Sequence, residues 1–98
     1  AVGYLAGQTT QASGAVAIGN NAGNSKQGKS SIAIGSSAGS DRQGTGAIAI
    51  GANSGVVTQG ANSIAIGNFT GVLSQPINQI LLNSSGVSLS GSSSGATY

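Results

Sequence analysis

The pentad Ser-Ile-Ala-Ile-Gly at residues 31–35 recurs as Ala15-Val16-Ala17-Ile18-Gly19, Ala47-Ile48-Ala49-Ile50-Gly51 and Ser63-Ile64-Ala65-Ile66-Gly67, sixteen residues apart each time. No other feature restricts the fold as much. A short apolar alternation at a fixed interval marks a stacked architecture, in which each copy adds one layer and covers the open edge of the last. Cut in this register, the chain divides into coils 15–30, 31–46, 47–62 and 63–78. Residues 1–14 fit the last fourteen positions of an earlier copy, and a degenerate coil begins at 79.

Reading down the columns gives the physics. Position two holds Val16, Ile32, Ile48, Ile64 and Ile80, and position four holds Val2, Ile18, Ile34, Ile50, Ile66 and Leu82. Residues two apart in a strand share a face. Both columns are therefore expected to point inward and stack as aliphatic ladders, the core of an all-β parallel solenoid with sixteen-residue coils. Ala17, Ala33, Ala49 and Ala65 lie between them and face the other way. Two readings of that column stand: it admits a neighbouring chain at close range and forms an oligomer seam, or it fills a crowded inner corner.

Glycine recurs at position five (Gly3, Gly19, Gly35, Gly51, Gly67) and position nine (Gly7, Gly23, Gly39, Gly55, Gly71). At fixed offsets after a β-branched run, it marks coil corners that need positive φ or close backbone approach. Position thirteen is Gln11, Gln27, Gln43, Gln59 and Gln75. Stacked amides bonded to the coils above and below are the expectation there, with ligand contact as the other reading.

Composition removes whole function classes. The charged residues are Lys26, Lys29, Arg42 and Asp41, with no histidine and no cysteine. Paired carboxylates, histidine-bearing triads and the usual general bases are unavailable, so the chain is expected not to be an enzyme. Thiolate and imidazole metal ligands are missing, and calcium-binding rolls need an Asp in every turn, so no metal or cofactor is expected. The glycine spacing is not G-x-G-x-x-G; Gly23 to Ser30, GNSKQGKS, has the letters of a G-x-x-x-x-G-K-S loop, but its glycines fall in columns that the repeat keeps in coils without the Lys-Ser, so they are read as turns and not as a phosphate cradle. Three scattered cations make no footprint for nucleic acid. No apolar run is long enough to span a bilayer, so direct membrane insertion is not expected. The start at Ala1, with no basic-then-apolar leader, reads as a processed product or a piece of a longer protein. The 18 glycines and abundant Ser and Asn fit a flexible linker, but a linker does not keep aliphatic residues in two columns. The Ser/Gly-rich run 84–98 reads as a terminal strand and connector toward a neck, tip or next domain.

The pentads at 15–19, 31–35, 47–51 and 63–67, with Ala-Gly at 22–23 and 38–39 and Gln-Gly at 27–28, 43–44 and 59–60, resemble the head repeats of YadA-like trimeric autotransporter adhesins. They are also similar to fibre repeats of phages and large DNA viruses. The resemblance covers residues 1–83 and implies a left-handed parallel β-roll, three chains side by side, displayed outside a cell or on a virion. Sixteen residues per coil is longer than adhesin heads typically use. The function it implies is a structural and adhesive extracellular fibre segment that displays a surface to a host receptor or glycan. End-to-end stacking into an extracellular filament is the alternative, favoured by the absence of a cap before Ala1. Ice binding is a remote one, because Thr9, Thr10, Thr45, Thr58, Thr70 and Thr97 form no unbroken column. Tyr4 and Phe69 stand just after corner glycines, suited to carbohydrate contact or to packing on the next chain. Asn68-Phe69-Thr70 and Asn83-Ser84-Ser85 match the glycosylation sequon, a pattern that arises by chance in so Asn/Ser-rich a chain.

Overall fold

Coils 15–30, 31–46 and 47–62 are each two three-residue strands joined by two tight turns, and coil 63–78 keeps its pentad strand with a single bridge at Leu73 in place of the second, as the computed structural model shows over residues 1–83, the residues it describes. The strands are β1 (Thr9–Gln11), β2 (Val16–Ile18), β3 (Ser25–Gln27), β4 (Ile32–Ile34), β5 (Asp41–Gln43), β6 (Ile48–Ile50), β7 (Val57–Gln59), β8 (Ile64–Ile66) and β9 (Ile80–Leu82). They form two all-parallel sheets. The pentad strands stack in the order β2-β4-β6-β8-β9, and the second strands of each coil stack as β1-β3-β5-β7. Register is kept throughout: Val16, Ala17 and Ile18 face Ile32, Ala33 and Ile34, and Gln11, Gln27, Gln43 and Gln59 follow one another. The fold is an all-β parallel solenoid with one coil per sixteen residues. The connector expected over 84–98 lies outside the described residues.

The turns explain the remaining columns. After β2, β4 and β6 the position-five glycine carbonyl accepts the N–H three residues on: Ala22 to Gly19 at 3.1 Å, Ala38 to Gly35 at 3.1 Å and Ser54 to Gly51 at 3.3 Å. The third residue of this turn has positive φ in every coil: Leu5, Asn21, Ser37, Asn53 and Phe69 lie at 58–60°. That is the conformation a type II turn demands. A second turn follows the other sheet, with Ser31 N–H donating to Gly28 at 3.2 Å and Ser30 at φ 56°.

The core is the reverse of the one the alternation suggested. Ala17, Ala33, Ala49 and Ala65 are at most 1% exposed, whereas Val16, Ile18 and Ile66 are 36–41% exposed, and Val2 and Leu82 more so. Ile32, Ile34, Ile48, Ile50, Ile64 and Ile80 are half-buried. The expected inner ladder of Val16, Ile18, Ile32, Ile34, Ile48, Ile50, Ile64, Ile66, Ile80 and Leu82 is therefore an outer one. A three-residue strand sends its central side chain one way and its flanking pair the other. The inside holds the glutamine arms of the second sheet and, around them, mostly small groups: the alanines, Ser31, Ala47 and Ser63 at position one, and Ala22, Ala38, Ser54 and Thr70 at position eight; only the last described coil places a larger residue, Leu81, in the alanine column.

Candidate functional site

The outer face of the pentad sheet is the most distinctive surface of the molecule. Two parallel aliphatic ladders run along it, one residue of each per coil, with no charged residue among them. Lys26, Asp41 and Arg42 lie on the second sheet, and Lys29 in the turn after it. The solenoid is thus amphipathic in cross-section. The 3.6 Å contact between Arg42 and Asp41 is largely solvent-exposed, where such pairs contribute little. The alanine column, one reading of which was an oligomer seam, is corrected to the inner-corner reading: its side chains are enclosed by their own coils and reach no neighbouring chain.

Inside, the glutamines do something other than link coil to coil. Gln27, Gln43, Gln59 and Gln75 are at most 3% exposed. Each sends Nε2 across its own coil to the position-two carbonyl: Gln27 to Val16 at 2.5 Å, Gln43 to Ile32 at 2.6 Å, Gln59 to Ile48 at 2.7 Å and Gln75 to Ile64 at 2.9 Å. They staple the two sheets together. One inter-coil rung is also present, from Gln43 Nε2 to Gln59 Oε1 at 3.1 Å. The position-nine glycines cradle these arms, since a Cβ on Gly23 would lie 2.7 Å from Gln27 Cδ. The Oε1 atoms of Gln27, Gln43 and Gln75 accept no hydrogen bond within the chain. Buried hydroxyls are better served: Ser31, Ser54 and Ser63 each donate to a turn carbonyl at 2.5–2.9 Å.

The remaining candidates do not converge. Gly19, Gly35, Gly51 and Gly67 have φ of 119–123°, and a Cβ on Gly35 would lie 2.7 Å from the backbone of Gly51 in the next coil. Tyr4 is 72% exposed and Phe69 39%, but they stand four coils apart and build no joint site. A shallow recess lined by Ile66, Gly67, Leu82 and Asn83 opens at the last coil beside the aliphatic face. Asn68 is exposed, yet the Thr70 of its sequon is fully buried and donates to the Ile66 carbonyl at 3.2 Å. The second sequon extends outside the described residues. Among the described residues no cluster of metal-ligating side chains occurs, and no helix is long and apolar enough to cross a membrane. The left-handed residues at positions seven and twelve were missed from sequence. Asparagine at position seven is a usable signal, whereas Thr10, Lys26, Arg42 and Thr58 at position twelve, with φ of 47–56°, offer none.

No protein-family model, curated protein or solved structure matches the chain. The architecture places it in the broad class of parallel β-solenoid repeat proteins.

Proposed function

We propose that this chain is a non-enzymatic structural and adhesive segment of an extracellular fibre, with copies packed side by side through the outer face of the pentad sheet. The observation carrying this reading is that the aliphatic ladders stand outside the coil on a charge-free sheet, while the charges collect on the other sheet. A contiguous apolar surface of this kind marks an interaction site in a soluble molecule. Every copy presents the same rungs at the same spacing, so a second copy of the chain is the natural occupant. Three copies are the number implied by the resemblance of the pentads to trimeric adhesin heads. The polar sheet then faces outward and is the surface displayed to a receptor or glycan.

Immunolabelled electron microscopy of the native source tests the role. Narrow projections carrying the label at a cell or virion surface are expected, and label confined to the cell interior contradicts it. The seam has its own test, because the chain contains no cysteine. Ile34→Cys is expected to cross-link between chains on mild oxidation, whereas Thr58→Cys on the polar sheet is not. The reverse pattern would move the seam to the other face.

A further inference from the structure

The charged side chains, separated along the sequence, meet in two adjacent coils of the fold. Lys26 is the middle residue of β3 and Arg42 of β5, strands that pair in parallel with Ser25 opposite Asp41 and Gln27 opposite Gln43. Lys26 and Arg42 are thus neighbours across the ladder, at a strand spacing of about 4.8 Å. Both are exposed, as is Lys29 in the turn that follows β3. Further strands of the same sheet, β1 and β7, flank the pair, so the patch lies between described coils and not at an end of the stack.

The stack does not need these charges. Elsewhere position twelve holds Thr10, Thr58 and Ser74, and position fifteen holds Ser13, Thr45, Ala61 and Ile77, all neutral. Like charges side by side on paired strands oppose folding. Compensation within the chain is partial: Asp41 is the one acid of the sequence, and its carboxylate lies 3.6 Å from Arg42 Nη2 with both side chains about half exposed. The formal net charge of +2 therefore stands on one patch of the second sheet and its turn. Ser25, Ser40 and Thr45 bring hydroxyls beside it, and none of these residues is buried.

We infer that Lys26, Lys29 and Arg42 form a binding site for an anionic glycan, a polysaccharide with sulfate or carboxylate groups repeated along its length. Two ammonium groups and a guanidinium hold the oxyanions, and the neighbouring hydroxyls pair with those of the sugar. Single-stranded nucleic acid would call for aromatic platforms among the cations, and a lipid surface for apolar anchors; Ser25 stands next to Lys26 and Thr45 in the rung beside Lys29. The inference rests on the reading of the second sheet as the displayed face and names what that face takes. Copies packed through the pentad sheet each turn the patch outward, so weak single contacts to one long glycan add up by avidity.

The test titrates the purified full-length protein with fluorescent heparin and hyaluronan oligosaccharides at about 0.15 M salt, with neutral dextran, DNA and phosphatidylserine vesicles beside them. Saturable binding to heparin, tighter than to the last three probes, is expected; hyaluronan bound as well shows that carboxylates suffice, and hyaluronan left unbound shows that sulfate is read. Lys26→Thr/Lys29→Thr/Arg42→Thr should weaken binding by about tenfold or more. Threonine is already borne in these columns by Thr10, Thr58 and Thr45. Asp41→Asn removes the competing carboxylate and should tighten binding, a gain that misfolding does not imitate. If the triple variant does not fold, Asp41→Asn decides alone. No binding to heparin, binding to dextran, DNA or vesicles as tight as to heparin, a folded triple variant that binds like the native chain, or an Asp41→Asn variant that binds no tighter each overturns the inference. Because isolated protein is used, label inside the cell by microscopy would remove the fibre role without touching this result.

Discussion

Gly35 shows how a single position governs the stack. Its φ of 123° is a region that residues with a Cβ rarely enter, and a Cβ there would also meet the Gly51 backbone. Gly35→Val is expected to cost about 3 kcal/mol or more, adding backbone strain to a steric clash with the next coil. Ser36→Val, exposed and in ordinary backbone, should cost about 0.5 kcal/mol or less. Ser37→Val should fall between them, at about 1 to 2 kcal/mol, because Ser37 sits at φ 60°. Urea midpoints of the three variants check the order, and equal small effects would mean that the pentads do not end at coil corners. The glycine corners are legible because only glycine is used at them. The left-handed Lys26 and Arg42 are not, since nothing in a lysine or arginine announces positive φ; the surrounding ladder imposes it.

At the scale of the element, the two short strands of a coil are held by one buried arm. Gln43 donates to the carbonyls of Ile32 and Ala47 and to Gln59 Oε1, and no other residue type is both long enough and neutral with two donor hydrogens at one end. Gln43→Glu tests this through pH. Burial disfavours the carboxylate, so the folded-state pKa of the new group is raised above its unfolded value of about 4.3. The folded chain then binds more protons than the unfolded one, and stability falls as pH rises. The variant should lie closest to the native midpoint near pH 3, where its O–H can still donate to Ile32. It should lose several kcal/mol, on the order of a buried unpaired charge, by pH 7. A gap to native that does not change with pH would place this position in water. The amide column was readable from the sequence as a column. Its direction was not, because a sixteen-residue repeat of glutamine looks the same whether each arm bonds across its coil or along the stack.

For the whole molecule, the sixteen-residue period made the parallel solenoid legible, but the alternation within the pentad left the inside undetermined. Ile-Ala-Ile says only that alanine and isoleucine face opposite ways. Assigning isoleucine to the interior follows the general rule that large apolar groups are buried, and that rule fails at the level of one chain because the glutamine arms of the second sheet already occupy the inside of the coil. It is restored if the ladders are covered by other copies. Substitutions separate the two faces: Ala33→Glu, inside the coil, should abolish the fold, whereas Ile34→Lys/Ile50→Lys, outside it, should leave a β-rich circular dichroism spectrum and remove only the association. The most direct measurement is the mass of the native protein by light scattering. The account predicts about three times the 9.2 kDa of one chain, falling to the single-chain value in Ile34→Lys/Ile50→Lys; a native protein that is folded at the single-chain mass would contradict it.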